Sequence, residues 1–151
     1  MGLRVVQHIL GARQGIRYVG AVDPAPGLEG RDLGELAGFS PVRVRVGGDA
    51  SRLFAETGPD IAIYTTVSSL RTFLPRSEAA VCRGVNVVST CEELAFPAYV
   101  DAGMTAEHDE LCKLHGVTML GTGINPGFLM DLRPALLSAA CTEVRRIAVT
   151  R

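Results

Sequence analysis

The sequence predicts an α/β fold organised as a doubly wound parallel sheet. Short apolar runs rich in Val, Ile and Ala alternate with segments of helical periodicity along the 151 residues. The connections between them are short and contain Gly and Pro, which is typical of parallel strands joined by crossover helices. Because 47% of the residues are hydrophobic and 21% are charged, the chain has enough apolar side chains to cover both faces of such a sheet.

Six segments are predicted as strands from their length and their Val and Ile content. They are residues 16–22, 42–46, 60–64, 85–88, 117–120 and 143–150. The second of them alternates Val with Arg, so one of its faces is solvated and we expect it near an edge of the sheet. The last of them has no later element to pack with, and we interpret it as the opening of another domain.

Six helices are predicted beside these strands. They cover residues 3–10, 32–37, 51–56, 70–83, 97–115 and 128–141. Glycines such as Gly11, Gly58 and Gly116 are expected to end helices, and Asp49 or Ser51 is expected to cap the third one. Pro97 suits the first turn of the fifth helix, because a residue there has no hydrogen-bond partner for its N–H.

Charge and cysteine content indicate which kinds of partner and which cellular compartment suit this chain. The net charge is −1 and no basic block occurs, which argues against nucleic acid as a partner. The apolar runs are no longer than strands and no secretory signal is recognisable, so we expect neither a membrane span nor export. The four cysteines show no C-x-x-C spacing, which is typical of free thiols in a reducing cytoplasm.

The first elements follow the order of a dinucleotide-binding βαβ unit. In such a unit a strand leads into G-x-G-x-x-G and a helix, and a second strand then ends in an acidic residue about 20 positions later. Gly2 stands where the last glycine would stand, and Asp23 lies at the expected distance. We interpret residues 1–142 as a truncated NAD(P)-binding domain without its first strand. Residues 143–151 would then begin a substrate and dimerisation domain that is absent.

A missing first strand has a predictable consequence for the sheet. In the standard strand order this strand is central, between the second and the fourth. Without it, two strands would face a gap with unpaired backbone groups, which are costly when they are buried. We therefore expect the isolated chain to bind NAD(P)H weakly or not at all and to be inactive.

Small polar residues follow several predicted strands, and in sheets of this type ligands bind at the carboxyl ends of the strands. The carboxylate of Asp23 would accept hydrogen bonds from a ribose diol and repel a 2′-phosphate, which favours NAD over NADP. The alternative for Asp23 is a plain Asp-Pro turn. Thr65, Thr66, Ser89 and Thr90 follow later strands, where small side chains let backbone amides approach a phosphate or a ribose. The alternative for these four residues is an ordinary turn.

The loop GTGINPG at residues 121–127 is the densest glycine segment of the chain. Its glycines, among them Gly123 and Gly127, and its proline fix an unusual backbone path. Asn125 offers both a hydrogen-bond donor and an acceptor. The loop could hold a nicotinamide carboxamide or an edge of the substrate, or it could be only a turn between a strand and a helix.

A zinc site is the alternative use of the fifth predicted helix. His108, Cys112 and His115 fall at positions i, i+4 and i+7, with Cys91 upstream, and such spacing can ligate zinc. The same helix carries an apolar stripe into which Cys112 fits as a small buried residue. We therefore predict no metal site.

Four stretches together resemble the 2,4-diaminopentanoate dehydrogenases. They are VGAVD at 19–23, EGRDLGELAG at 29–38, VVSTCEELAFP at 87–97 and GTGINPGFLMD at 121–131. These enzymes are similar in their N-terminal domain to dihydrodipicolinate reductase. The resemblance covers almost the whole chain and implies a Rossmann-like fold. It also implies an NAD(P)-dependent oxidoreductase that oxidatively deaminates a diamino acid, as in ornithine degradation.

The resemblance also assigns positions to the cofactor. By position, Gly2 is the surviving glycine of the phosphate loop, and Asp23 is the ribose contact. Thr65 and Thr66 would lie beside the cofactor. The nicotinamide end would be lined by Gly123, Asn125 and Gly127. The substrate would be a small amino acid, and the full-length parent is expected to be a homo-oligomer. A reductase of the dihydrodipicolinate type and a non-catalytic Rossmann-like binding domain stay open as alternatives.

Overall fold

The computed structural model describes residues 1–149 and confirms the α/β class. The helices are α1 Gly2–Ala12, α2 Leu33–Leu36, α3 Ala50–Thr57, α4 Leu70–Val81, α5 Pro97–Val100, α6 Ala102–His115 and α7 Arg133–Ser138. The strands are β1 Ala21–Val22, β2 Val46–Gly47, β3 Ile61–Tyr64, β4 Asn86–Ser89 and β5 Met119–Gly121. A 3-10 turn at Glu92–Ala95 follows β4, and a π-helical segment at Ile124–Leu132, interrupted at residues 125–127, follows β5.

The described strands form two parallel sheets instead of one. β1 pairs with β2, with Ala21 opposite Val46. β3, β4 and β5 pair in that order, with Ile61 opposite Asn86 and Val87 opposite Met119. Written as β2–β1 and β3–β4–β5, this is the order of a doubly wound sheet that is interrupted between β1 and β3. The break that the sequence predicted therefore lies at the expected position.

Two hydrophobic clusters match the two sheets. The larger one surrounds α4 and the three-stranded sheet, and its centre is Phe73, which is fully buried and meets the ring of Tyr64 edge-on at 5.6 Å. The smaller one joins α1, α2 and β2, and its buried residues are Val6, Leu33, Ala37 and Val46. Each sheet is thus fixed by helices that pack on it, as the alternation of strands and helices predicted.

Local capping sets the bounds of the longer helices. Asp49 caps α3 by accepting a hydrogen bond from the backbone N–H of Arg52 at 3.1 Å, so of the two predicted caps Asp49 is the one observed. Gly58 ends α3 and Gly116 ends α6 in the left-handed conformation. Gly11, which was expected to end the first helix, lies inside α1 instead.

The single helix predicted over 97–115 is wrong, because Asp101 divides it. Its backbone is extended, at φ −157° and ψ 99°, and its side chain accepts a hydrogen bond from the N–H of Met104 at 3.1 Å. An aspartate in this geometry begins a new helix instead of continuing the old one. The segment therefore consists of the short α5 and the longer α6.

Two predicted strands are shorter than expected. Residues 16–20 are not part of β1, and Arg43 has a positive φ of 61°, so the extended run over 42–46 begins only at Val46. β2 nevertheless lies at an edge of its sheet, as the alternation of Val and Arg indicated. Strand length here follows from how much of each segment finds a partner.

The C-terminal predictions need correction as well. The helix expected over 128–141 is present but ends earlier, because the helical segment Ile124–Leu132 departs from helical angles only at residues 125–127 and continues into α7, which ends at Ser138. Residues 143–149 form no strand, and Val144, Ile147 and Val149 are exposed. A strand needs a neighbour to bond with, and the described part of the chain offers none there. The last residues of the predicted strand and domain, 150 and 151, lie outside the described part.

The backbone of the predicted motif RDLGEL is held by one carboxylate. Asp32 Oδ1 accepts hydrogen bonds from the N–H groups of Gly34 at 2.8 Å, Val42 at 3.0 Å and Glu35 at 3.3 Å. Partial desolvation acts to raise the pKa of Asp32, but these backbone hydrogen bonds outweigh it and hold the pKa below its ordinary value. Asp32 thereby joins the start of α2 to the loop that leads into β2.

Within residues 1–149, no helix has both the length and the apolar character needed to cross a bilayer.

Candidate functional site

The carboxyl ends of β3, β4 and β5 form one edge of the larger sheet. The N–H of Thr90 donates to the carbonyl of Tyr64 at 3.0 Å, and the N–H of Thr122 donates to the carbonyl of Ser89 at 2.9 Å. The three loops that leave these strands therefore begin side by side. Thr65 and Thr66 stand at the first of these exits, which is where the sequence predicted them to be.

Gly2 lies at the same edge, against Thr65. A Cβ atom placed on Gly2 would be only 3.2 Å from Thr65 Oγ1. The helix α1 therefore begins at the carboxyl end of β3, and the glycine permits the close approach. Met1 gives this helix no side-chain cap, so the N–H groups of its first turn receive no hydrogen bond from a capping side chain. Two of the predicted site residues are thus brought together from positions 63 residues apart in the chain.

Asp23 lies at the corresponding end of the smaller sheet. Asp23 follows β1 directly and so stands at the carboxyl end of that strand. Asp23 is exposed, and its Oδ1 accepts a hydrogen bond from the N–H of Ala25 at 2.9 Å. The Asp-Pro turn that the sequence left open is therefore present. This turn uses one of the hydrogen bonds that the Asp23 carboxylate can accept, and because a carboxylate can accept about four, others remain for a ligand.

The loop GTGINPG is closed by its own backbone and by one carboxylate. The N–H of Phe128 donates to the carbonyl of Gly123 at 3.0 Å, and the N–H of Gly127 donates to Asp131 Oδ2 at 2.7 Å. Gly127 has a φ of 121°, a conformation that side chains with a Cβ rarely adopt. The unusual path expected from the glycines is therefore observed, and it orients the segment between Gly123 and Gly127.

Asn125 has a buried acceptor without a partner inside that loop. Its Oδ1 is shielded from solvent, and no described residue donates a hydrogen bond to it. A buried amide oxygen left unpaired costs on the order of 1–3 kcal/mol, so native structures rarely keep one without a reason. A ligand with an N–H or O–H group would satisfy this oxygen. Of the predicted site residues, Asn125 thus carries the clearest sign of a ligand.

The position of this loop depends on a close contact that the sequence did not reveal. A Cβ atom on Gly121 would lie 2.5 Å from the carbonyl carbon and oxygen of Leu94 and 2.9 Å from the nitrogen of Ala95. The 3-10 turn after β4 therefore passes directly over the end of β5. Gly121 is needed for this approach, whereas the sequence pattern predicted roles for Gly123 and Gly127.

The acidic pair that follows β4 was also missed as a structural device. Glu93 Oε2 accepts a hydrogen bond from the N–H of Leu70, the first residue of α4, at 2.7 Å. A carboxylate in this place satisfies a free helical N–H and opposes the positive end of the helix dipole. The motif CEEL, which contributes to the family resemblance, carried the only available signal. Its second glutamate fixes α4 relative to the edge of the sheet.

Cysteine and histidine side chains near this edge are occupied by structural contacts. Cys91 Sγ donates to the carbonyl of Ser68 at 3.1 Å, and burial raises the pKa of its thiol. His108 Nε2 lies 3.1 Å from the carbonyl oxygen of Leu74, and Cys112 belongs to the larger core. Among residues 1–149, no three potential metal ligands are grouped, so the zinc alternative receives no support from the geometry.

The chain is similar to two known dehydrogenases. The chain is 36% identical over 104 residues to a 2,4-diaminopentanoate dehydrogenase from Acetoanaerobium sticklandii, which is 69% of this chain and 30% of that protein. Its structure superposes on an amine dehydrogenase from Mycobacterium smegmatis with a TM-score of 0.87 and 32% identity. This chain is a homologue of these dehydrogenases. The family resemblance and the Rossmann-like fold class predicted from the sequence are thereby confirmed.

The similarity extends over most of this chain but over only part of each relative. The superposition covers 95% of this chain but 42% of the amine dehydrogenase. The chain therefore spans less than half the length of either relative. No family model matches the chain. Both relatives are oxidoreductases by name, and what each whole enzyme acts on is a property of that enzyme.

Proposed function

We propose that this chain is the dinucleotide-binding part of an NAD(P)-dependent dehydrogenase. The approach of Gly2 to Thr65 carries the proposal, because it brings the uncapped start of α1 to the carboxyl edge of the sheet. In dinucleotide-binding folds the pyrophosphate binds at the N-terminus of such a helix, at the carboxyl ends of the strands. The two relatives are named dehydrogenases, which supports the same chemistry.

The predicted residues have distinct roles in this proposal. Gly2 and Thr65 would line the phosphates, with Thr66 beside them. Asp23 would accept hydrogen bonds from the adenosine ribose and favour NAD over NADP. Asn125 Oδ1 would receive an N–H donor at the nicotinamide end. Gly123 and Gly127 would lie next to it, since they fix the path of the loop that presents Asn125.

The proposed substrate is an amine-bearing carbon of a small diamino acid. A bound nicotinamide would supply the hydride acceptor for that carbon, and the redox chemistry would belong to the cofactor. The amine nitrogen loses a proton as the C=N bond forms, and water then converts the imine to a ketone and ammonia. The names of the relatives support an amine over the dihydrodipicolinate-type reduction that the sequence left open. We further propose a cytoplasmic homo-oligomer for the parent enzyme.

A two-dimensional NMR titration of the chain with millimolar NAD⁺ and NADP⁺ tests this assignment. We expect weak binding that is tighter for NAD⁺ than for NADP⁺. The chemical-shift changes should be confined to Gly2, Asp23, Thr65 and the 121–127 loop. Asp23→Asn should weaken NAD⁺ binding roughly tenfold, the size of a lost charge-assisted hydrogen bond, and remove the preference over NADP⁺.

Asp60→Asn is the matched control for this titration. Asp60 is also an exposed carboxylate, but it precedes β3 and so lies at the opposite end of the sheet. The substitution should leave binding unchanged. The proposal would be refuted by shifts that map to the Asp60 end, or by saturating NAD⁺ that moves no resonance at the carboxyl edge. A non-catalytic binding domain would be favoured if another ligand alone perturbs this edge.

A further inference from the structure

We propose that Glu29 selects the base of the bound dinucleotide by accepting a hydrogen bond from the exocyclic amino group of adenine. This role rests on the dinucleotide function proposed above and adds the residue that reads the base. Three features carry it. The Glu29 carboxylate lies at the outer edge of the smaller sheet, the backbone beside it bears no side chain, and no residue within 1–149 pairs with it.

The carboxyl ends of β1 and β2 lie side by side at this edge. The N–H of Asp23, directly after β1, donates to the carbonyl of Gly47, the last residue of β2, at 3.1 Å. In the proposed binding mode the phosphates lie at Gly2 and the adenosine ribose at Asp23, so the ligand runs outward across the sheet. Neighbouring strands are about 4.8 Å apart. The next group of the ligand, which is the base, therefore reaches the end of β2.

Glu29 is brought to the same point by the loop that follows β1. This loop folds back along β2, because the N–H of Gly30 donates to the carbonyl of Val46 at 2.8 Å. Glu29 Oε1 lies 3.7 Å from the position that a Cβ atom on Gly48 would occupy. Gly48 is the first residue after β2. The carboxylate thus lies against the backbone at the carboxyl end of that strand.

The surface beside the Glu29 carboxylate suits a flat ring. Gly47 and Gly48 give the end of β2 no side chains, and Gly48 is exposed. In the loop after β1, Pro24 and Pro26 are exposed as well and offer rigid apolar rings. A purine here would meet bare backbone, an apolar loop and one carboxylate.

The chemistry of the carboxylate decides which base it recognises. An ionised carboxylate only accepts hydrogen bonds. Adenine carries an amino donor at N6, whereas guanine has a carbonyl acceptor at the equivalent position. Glu29 is exposed, and within residues 1–149 its carboxylate has neither an ion pair nor a hydrogen bond. It is therefore free to accept from adenine, and it would repel the oxygen of an oxopurine.

An NMR titration of the whole chain tests this role with two ligands. One is NAD⁺, and the other is the NAD⁺ analogue in which hydrogen replaces the amino group of adenine. The chain should bind NAD⁺ about tenfold more tightly, the size of one hydrogen bond to a charged group at an exposed site. Glu29→Ala should bind both ligands equally. Glu29→Gln keeps an acceptor oxygen and should retain about a threefold preference, as a neutral hydrogen bond is weaker.

The ratio of the two affinities separates recognition from a structural role. A variant that only loosens the loop weakens both ligands alike and leaves the ratio unchanged. Glu35→Ala is the matched control. The N–H of Leu33 donates to the carbonyl of Val44 at 2.8 Å, so the segment from Gly30 runs antiparallel to β2 and carries the exposed Glu35 to the amino end of that strand. This variant should keep the tenfold preference of the parent chain.

The possible failures are distinguishable. If NAD⁺ perturbs no resonance at the carboxyl edge, the dinucleotide function fails and the role of Glu29 fails with it. If NAD⁺ binds at that edge but the analogue binds equally well, only the role of Glu29 is refuted. It is also refuted if Glu29→Ala keeps the preference for NAD⁺ over the analogue. If that variant instead tightens NADP⁺ binding and keeps the base preference, Glu29 faces the ribose and not the base.

Discussion

Substituting Gly121 by alanine provides the sharpest test of how the candidate site is held. The added methyl group would sit 2.5 Å from two backbone atoms of Leu94 and 2.9 Å from the nitrogen of Ala95, about 1 Å closer than normal contact. These atoms belong to a backbone that cannot rotate away, and Leu94 is buried. Gly121 does not have a positive φ, so the penalty is steric and not conformational.

The expected loss follows from two opposing terms. Forcing a methyl group into a packed site costs about 1–3 kcal/mol. Replacing glycine by alanine also makes the unfolded chain stiffer, which returns about 0.4–1 kcal/mol. We therefore expect Gly121→Ala to lower the free energy of unfolding by about 0.6–2 kcal/mol, which is the difference between the two lower values and between the two upper values of these ranges. Guanidinium denaturation followed by circular dichroism measures this change.

Gly103→Ala is the matched control for that measurement. Gly103 lies in α6, where the nearest atom to an added Cβ is Asp101 Oδ1 at 3.6 Å, an ordinary contact. This variant should be as stable as the parent, or more stable by up to about 1 kcal/mol. If Gly121→Ala were as stable as Gly103→Ala, the close packing of the 3-10 turn on β5 would be refuted.

Three further predictions concern the hydrophobic core, the loss of stability at acid pH and the reactivity of the thiols. Phe73→Ala should lower the free energy of unfolding by about 3–5 kcal/mol, because Phe73 is fully buried at the centre of the larger core. Asp32 has a lowered pKa, so its contribution is complete above its ordinary pKa and is lost as pH falls through the lower folded value. Denaturation midpoints between pH 7 and pH 3 should show this decline. Cys91 and Cys112, which are buried and have raised thiol pKa values, should react with a disulfide reagent more slowly than the exposed Cys82.

Each of these three predictions has its own check. Phe73→Leu keeps most of the buried surface and should lose clearly less stability than the alanine variant. Asp32→Asn keeps an acceptor oxygen but cannot titrate, so the stability of this variant should decline less as the pH falls. An unchanged decline would contradict the role given to Asp32. For the thiols, equal rates at Cys82 and Cys91 in the native chain would contradict the burial of Cys91.

Part of this architecture could be predicted from local sequence. The cap at Asp49 and the helix ends at Gly58 and Gly116 depend on hydrogen bonds within a few residues, so short patterns suffice to predict them. The alternation of apolar runs and helices predicted the parallel sheet, and the standard strand order of such sheets predicted the gap between β1 and β3. For the candidate site, it predicted the glycine-rich loop and the residues that follow each strand, because ligand edges in parallel sheets lie at strand ends.

The remaining features depend on approaches between distant segments. The unpaired oxygen of Asn125, the contact of Gly121 with Leu94 and the cap that Glu93 gives to α4 exist only once separate segments pack together. Strand length is decided in the same way, since residues 16–20 have the composition of a strand but no partner to bond with. The sequence by itself determined the alternating order of helices and strands and the positions of the local caps. Tertiary structure decided which of their polar groups are left without a partner, because burial and long-range hydrogen bonding are properties of the packed chain.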